Sequence, residues 1–135
     1  MSLIQKEAKP SLALEKFKKR FSDIRVLALD KDYDSLVQYK KLFSKVVIFN
    51  NSVEALAAAE VQKFDLFILD FYQYPINGLE VLTQFHKLPL NIKTPTLFVT
   101  EGINDGEILL KLQNFLFKPI DALEFYLYVN ILFKS

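Results

Sequence analysis

The chain has 135 residues, with 17 basic and 16 acidic side chains, a formal net charge of +1 and no cysteine. This length fits one domain, and the near-neutral charge gives no reason to expect a nucleic-acid or membrane partner. The lack of cysteine excludes a disulfide framework and a zinc–thiolate site. Apolar runs are shorter than a membrane span and the N-terminus lacks a signal-peptide pattern, so the expected location is cytoplasmic.

Residues 1–23 are predicted to form an extension, and the domain is assigned to residues 24–135. The extension carries six basic and three acidic groups. Its segment Ser11–Phe21 spaces Phe17 and Phe21 among lysines in the pattern of a short basic amphipathic helix. Because the helix is short, a linker or docking role is favoured over a membrane-surface role.

Five strand-and-helix units follow the extension. Each strand is a short apolar run, and four consecutive apolar residues are typical of a strand covered on both faces. The predicted strands are Arg25–Leu29, Lys45–Phe49, Leu66–Leu69, Thr94–Val99 and Asn114–Phe117. The predicted helices are Tyr33–Phe43, an alanine-rich helix opening at Asn51–Glu54, Gly78 to about Lys87, Gly106–Leu112, and Asp121 to about Phe133. Asn77 is expected to cap the third of these helices, with Glu80 reaching back to it.

Alternation of strands and helices favours a parallel sheet, because right-handed crossovers place the helices on its two faces. The sequence therefore predicts an α/β fold with a doubly wound, five-stranded parallel sheet. Glu101–Asp105 is expected to be a loop, which leaves room for only a short helix between the fourth and fifth strands.

Four of the five strands end on a functional side chain. These side chains are Asp30, Asp70, Thr100 and Lys118, whereas the second strand is followed by Asn50. Any one of them has an ordinary explanation, such as helix capping or solvation. Since a parallel sheet gathers the carboxyl ends of its strands at one edge, all four together predict a functional crevice there.

This pattern resembles the receiver domain of two-component response regulators over Arg25–Phe133, nearly the whole chain after the extension. The resemblance implies a flavodoxin-like fold in which Asp70 accepts a phosphoryl group from a histidine kinase or phosphotransfer protein. Gly78, eight residues after Asp70, matches a glycine of the family. Lys118-Pro119 matches its Lys-Pro dipeptide, whose peptide bond is often cis.

The resemblance also implies a metal-assisted site. Phosphoryl transfer to a carboxylate needs cations that neutralise charge in the transition state. Mg²⁺ would be held by Asp30, Asp70 and the backbone carbonyl of Tyr72, and Lys118 would supply a second positive charge. Thr100 would hydrogen-bond a phosphoryl oxygen.

Phe115 would follow the movement of the strand-end hydroxyl, although it lacks the hydroxyl group of its own that a tyrosine would have. An output protein, not identifiable from the sequence, would respond to this change. Binding of nucleic acid or a membrane is not expected.

Three residues depart from the family pattern. Lys31 stands where receivers usually have a second acid, Glu101 where they have a small residue, and Tyr72 is bulky. Lys31 could pair with Asp70, or it and Glu101 could turn to solvent and leave Asp30 and Asp70 to bind metal weakly. The lost ligand and the anion at Glu101 favour impaired Mg²⁺ binding and slow or absent phosphorylation over normal switching. A phosphorylation-independent pseudo-receiver that binds other proteins is therefore an alternative.

A second alternative is a small phosphatase. Asp30-Lys31-Asp32 resembles the DxD motif of haloacid dehalogenase-type enzymes, with Asp30 as nucleophile and Asp32 as general acid. Against it, Asp34 stands where threonine or valine is usual, no acidic metal motif follows Lys118, and Asp70 has no role there. A non-enzymatic signalling domain is favoured.

The last helix is apolar on more than one stripe, so something besides the sheet should cover it. Two coverings are predicted: a homodimer through the fourth-helix, fifth-strand and fifth-helix face, or packing by the N-terminal helix around Phe17 and Phe21. The single histidine, His86, is expected to be a surface or boundary residue.

Overall fold

The computed structural model describes residues 12–72, 75–102, 106 and 114–134. Its centre is one sheet of five parallel strands in the order β2-β1-β3-β4-β5. The strands are β1 Arg25–Leu29, β2 Lys45–Phe49, β3 Leu66–Leu69, β4 Thr96–Thr100 and β5 Phe115–Phe117. The predicted five-stranded parallel sheet is therefore confirmed.

Five α-helices are described, together with a 3₁₀-helix at Pro89–Asn91. The helices are α1 Leu12–Arg20, α2 Tyr33–Leu42, α3 Ser52–Val61, α4 Gly78–Phe85 and α5 Ala122–Lys134. In the part of the chain that the structure describes, no helix is long and apolar enough to cross a membrane. The short helix predicted at Gly106–Leu112 lies outside the described residues except for Gly106, as does Ser11.

The fourth strand begins two residues later than predicted. The Thr94 hydroxyl donates to the Phe64 carbonyl and to Asn91 Oδ1, and Pro95 has no N–H group for the sheet. These two residues therefore close the preceding turn. At its other end β4 extends to Thr100, which pairs with Phe117 of β5.

Side chains of the strands feed two hydrophobic cores, one on each face of the sheet. Val26 and Ala28 of β1 belong to the core under α2 and α5, whereas Leu27 and Leu29 belong to the core under α3 and α4. All four residues of β3 are completely buried. Coverage on both faces explains why the strands are continuous apolar runs rather than alternating ones.

Side-chain caps start the helices as the sequence suggests. Asn77 Oδ1 accepts a hydrogen bond from the Glu80 N–H (2.9 Å), and Asp121 Oδ1 accepts one from the Glu124 N–H (2.9 Å). The expectation that the Glu80 side chain reaches back to Asn77 is wrong. Its carboxylate accepts a hydrogen bond from Gln84 one turn later on the exposed face.

The N-terminal helix α1 packs on α5 through aromatic rings. The ring centroids of Phe17 and Tyr126 lie 5.9 Å apart, and the Phe21 ring lies 6.3 Å from Tyr126 and 5.9 Å from Phe133. Of the two predicted coverings of α5, the one by the N-terminal helix is therefore present. An exposed stripe of Leu123, Leu127 and Ile131 remains on α5, and the homodimer stays a prediction.

Truncation of Phe21 tests how strongly α1 is held. Phe21 is only 3% exposed, so Phe21→Ala should lower the free energy of unfolding by about 3 kcal/mol in urea denaturation. The matched change Leu12→Ala, on the same helix at a residue that is 78% exposed, should cost less than about 0.5 kcal/mol. Equal losses in the two variants would contradict the observed packing.

Candidate functional site

Strands β1 and β3 deliver two carboxylates to the same edge of the sheet. Asp30 and Asp70 directly follow these strands, and their backbone N–H groups still bond across the sheet, to Phe49 and Leu29 respectively. Asp30 is completely buried and Asp70 is 2% exposed. The continuing ladder therefore fixes both acids in a protected pocket, where carboxylates need partners.

Lys118 supplies that partner from the end of β5. Its Nζ donates to Asp30 Oδ1 (3.0 Å) and Asp70 Oδ2 (2.9 Å), and it lies 2.9 Å from Asp30 Oδ2. The Lys118 N–H donates to the Thr100 carbonyl, and the Lys118-Pro119 peptide bond is cis. One ammonium thus bridges two buried carboxylates, leaving one negative charge in the trio.

Asp70 is also held by two donors on its other oxygen. Thr100 Oγ1 donates to Asp70 Oδ1 at 2.8 Å, and the Tyr72 backbone N–H donates to the same oxygen at 3.0 Å. The predicted strand-end residues Asp30, Asp70, Thr100 and Lys118 therefore meet in one crevice. A carboxylate with a hydroxyl donor on one oxygen and an ammonium on the other is the arrangement that a carboxylate nucleophile and its anionic substrate would need.

Gly78 allows the first turn of α4 to sit directly against this pocket. A Cβ at this position would collide with the Asp70 carbonyl oxygen and crowd the Phe71 Cα at 2.9 Å. The Gly78 N–H donates to the Phe71 carbonyl at 2.7 Å. The glycine eight residues after Asp70 is thus required by close backbone approach.

The atypical residues lie around the mouth of the pocket. Lys31 Nζ lies 5.6 Å from the ring centroid of Tyr72, a cation–π contact between two loops, and the described ion pairs of Asp70 involve Lys118 rather than Lys31. The suggestion that Lys31 pairs with Asp70 is therefore wrong. Glu101 is exposed and lines a surface depression that also borders Lys118.

Asp32 and Phe115 lie beside the site and are held by contacts of their own. Both carboxylate oxygens of Asp32 accept hydrogen bonds at the start of α2, from the Asp34 N–H (3.0 Å) and the Ser35 hydroxyl (3.2 Å). An acid used this way is a helix cap, which weighs against the general acid of the phosphatase alternative. Phe115 is half-buried, with its ring 5.3 Å from that of Phe117.

His86 lies away from the pocket. It is exposed and forms the C-terminal cap of α4. The prediction of a surface or boundary residue is confirmed.

Burial and charge shift the pKa values of the site. Burial raises the pKa of Asp30 to about 6, against the opposing effects of hydrogen bonds from the Asp32 N–H and from Lys118. Burial lowers the pKa of Lys118, but its hydrogen bonds to Asp30 and Asp70 outweigh this, and its pKa is raised above the usual 10.5. Lys118 therefore stays charged at physiological pH.

Sequence reasoning missed Tyr39 of α2. Its side chain is completely buried, and its hydroxyl has no hydrogen-bond partner among the residues that the structure describes. Burial, followed by the negative charges of Asp30, Asp70 and Asp32, raises the pKa of this hydroxyl well above 10. A tyrosine one turn after Ser35, on the apolar face of a helix that starts at the site, was the only signal in the sequence.

The oxygen donors of the pocket suit a hard cation. Asp30 Oδ2 has the Lys118 ammonium 2.9 Å away and no other polar partner among the described residues, and carboxylates together with a backbone carbonyl are the ligands that Mg²⁺ takes. Within the described ranges, no cluster of three or more acidic or histidine side chains could hold a metal ion. Asp30 and Asp70 would therefore be the carboxylate ligands of a Mg²⁺ ion whose remaining ligands are mostly water.

Comparison with known proteins identifies the fold. The sequence matches no protein-family model and no curated protein sequence. A CheY-like receiver domain protein from Methanospirillum hungatei JF-1 superposes with a TM-score of 0.74 at 21% identity, covering 82% of this chain and 94% of that one. A two-component response regulator from Clostridium difficile gives a TM-score of 0.72 at 19% identity, covering 84% and 98%.

A third similar structure carries a metal. The receiver domain of a sensor histidine kinase from Pseudomonas aeruginosa PAO1, with magnesium coordinated in its active site cleft, gives a TM-score of 0.74 at 15% identity, covering 83% of this chain and 98% of that one. The chain therefore has the flavodoxin-like fold of CheY-like response regulator receiver domains. The predicted resemblance is confirmed at the level of the fold.

The raised pKa of Asp30 can be tested by titration. Because its folded pKa of about 6 exceeds the usual 3.8 of an aspartate, Asp30 stabilises the fold fully only below about pH 4, and this stability is lost as the pH rises to about 6. The side-chain carboxyl carbon should titrate near pH 6 by NMR in metal-free buffer, and at a higher pH in Lys118→Gln. A midpoint near 3.8 would contradict the buried pair.

The close approach at Gly78 predicts that substitution by alanine changes the free energy of unfolding differently at two glycines. Alanine is usually the better helix residue, yet Gly78→Ala should lower the free energy of unfolding by about 1–3 kcal/mol, because its Cβ meets backbone atoms. Gly102→Ala is the control, since a Cβ there would meet no atom of the described residues within 4 Å. Chemical denaturation of both variants measures the difference, and a neutral Gly78→Ala would show that the α4–Asp70 contact is loose.

Proposed function

We propose that the chain is a response regulator receiver domain of a two-component phosphorelay, with Asp70 as the phosphoryl acceptor. The observation that carries this proposal is the set of contacts to the Asp70 carboxylate, whose two oxygens are held by Thr100 and Lys118 at the carboxyl edge of a receiver-type sheet. The donor would be a histidine kinase or a phosphotransfer protein. Such signalling would take place in the cytoplasm.

In the proposed transfer, an Asp70 oxygen forms a bond to phosphorus while the phosphorus–nitrogen bond of a phosphohistidine donor breaks. The imidazole nitrogen keeps the electron pair of the broken bond. Lys118, already 2.9 Å from Asp70 Oδ2, neutralises charge that builds on the phosphoryl oxygens. Thr100 exchanges its hydrogen bond to Asp70 Oδ1 for one to a phosphoryl oxygen, which moves the end of β4 towards the site.

Phe115 is proposed to respond to this movement. Phe115 on β5 pairs with Phe98 of β4, and Thr100 of β4 pairs with Phe117, two residues further along β5. A shift of the Thr100 end therefore changes the packing of the half-buried Phe115 ring. Since Phe115 has no hydroxyl, the response would be one of packing and not of hydrogen bonding.

Asp30, Asp70 and the Tyr72 carbonyl would hold Mg²⁺, and when bound the ion adds positive charge beside the transferring group. Lys31 replaces a ligand with a cation at the mouth of the same pocket, held against the Tyr72 ring. Its charge opposes that of the metal, so metal binding is expected to be weaker than in receivers with two adjacent acids.

One observation favours the pseudo-receiver alternative. Lys118 contacts both buried carboxylates, so an ion-pair network already connects the three strand ends of the pocket. Phosphorylation must break part of this network, since Lys118 cannot contact Asp30 and Asp70 in the same way once the phosphoryl group is present. A domain fixed in this state would act by binding an output protein directly, or by pairing with a second copy of itself.

The two functions are separated by phosphorylation with a small phosphodonor and Mg²⁺, followed by intact mass. Wild type should gain one phosphoryl group slowly, Asp70→Asn none, and Lys31→Asp should react faster and bind Mg²⁺ more tightly, by about tenfold or more. Lys40→Asp makes the same charge change at an exposed lysine at the far end of α2 and should leave the rate unchanged.

Two outcomes would alter the conclusion. If wild type reacts as fast as Lys31→Asp, Lys31 does not impair the site and this is an ordinary switch. If no variant is labelled, Lys31→Asp included, the phosphoryl-acceptor proposal fails and the pseudo-receiver remains.

A further inference from the structure

The charges of the molecule are separated between the two ends of the sheet. In a parallel sheet every connecting helix runs back from the carboxyl ends of the strands to their amino ends. The amino-end face is defined here as the last turns of the helices with the segments that lead to the first residues of the strands. Among the described residues this face holds eleven basic side chains, all exposed, and three acidic ones.

The opposite end has the reverse charge. The loops and first helical turns at the carboxyl ends of the strands hold nine acidic and two basic side chains among the residues described. The net charge of +1 is thus the small difference between two large and opposite charges. The expectation of no anionic partner rested on that difference alone.

Three exposed aliphatic side chains lie on the amino-end face. Val61 at the end of α3, with Leu90 and Ile92 in and after the 3₁₀-helix, are 79%, 45% and 54% exposed. These three residues are called the apolar knob. Lys63, Lys87 and Lys93 lie close to them along the chain and are exposed.

Buried Asn91 holds the knob in place. Its Nδ2 donates to the carbonyls of Ala59 (2.7 Å) and Gln62 (2.8 Å), and its Oδ1 accepts from the Phe64 N–H (2.9 Å) and the Thr94 hydroxyl (3.0 Å). Every polar group of this side chain is used to fix the turn to the end of α3. The turn therefore presents Leu90 and Ile92 outward on a fixed scaffold.

Helix dipoles explain only part of this face. Basic residues in the last turns of α1, α2 and α5 complement the negative ends of those helices. The dipoles give no reason for aliphatic side chains to be held outward between lysines. Lysines around exposed aliphatic groups are the composition of surfaces that lie on anionic bilayers.

We propose that the amino-end face docks on an anionic lipid bilayer, with its lysines at the headgroups and the apolar knob in the interfacial region. A bilayer fits better than nucleic acid. Contacts to a phosphate backbone are electrostatic and do not bury aliphatic side chains, and the knob has no aromatic ring for stacking on bases. Asp70 at the opposite edge of the sheet then faces away from the membrane. The proposal does not depend on phosphorylation of Asp70.

Vesicle co-sedimentation of the full chain tests this docking. The protein should bind vesicles of an equal mixture of phosphatidylcholine and phosphatidylserine, release with salt, and not bind phosphatidylcholine alone. The double variant Leu90→Asp with Ile92→Asp should bind at least about tenfold more weakly. The control, Leu123→Asp with Leu127→Asp on the exposed stripe of α5 before its last turn, makes the same change of charge and should bind like wild type.

A second variant removes charge without touching the knob. Lys87→Gln with Lys93→Gln should weaken vesicle binding by about tenfold, while the thermal unfolding curve stays that of wild type. Three results would overturn the proposal: no binding to phosphatidylserine vesicles, equal loss in the knob and α5 variants, or salt-sensitive binding to duplex DNA that replaces vesicle binding and ignores the Leu90 and Ile92 changes.

Discussion

The ion pairs of Lys118 with Asp30 and Asp70 are the interaction on which the site depends. Two carboxylates this deeply buried would be strongly disfavoured without a cation, because water is excluded from both. The ammonium reaches them from β5, while Asp30 and Asp70 follow β1 and β3. In the observed order β1 and β3 are neighbours and β5 lies beyond β4, and the Lys118 side chain reaches both carboxylates from there.

Much of the fold and the core of the site followed from the sequence. Apolar runs ended by Asp30, Asp70, Thr100 and Lys118 could be placed at one edge, because parallel strands leave few other topologies. The direction of Lys31 could not be predicted, since it depends on a tyrosine ring forty-one residues later in the chain. The depth of Tyr39, likewise, is set by packing between α2 and α5 and has no local signal.

The covering of α5 shows a different limit of sequence reasoning. A helix with more apolar surface than the sheet can cover needs a packing partner. Its sequence does not show whether that partner belongs to the same chain. The rings of Phe17 and Phe21 answer this for one side of α5. Net charge misled in a similar way, because a single sum carries no information on where charges lie.

Helix α4 is anchored near both of its ends. Its first turn touches the backbone of Asp70 through Gly78 with no slack, and its last turn leads within a few residues to the turn anchored by Asn91. A short helix that is held at both ends does not take up a displacement by bending locally. A rearrangement of the loop beside Asp70 must therefore either tilt the whole of α4 or break its contacts at one end. The far end of α4 leads to the lysine-rich end of the molecule.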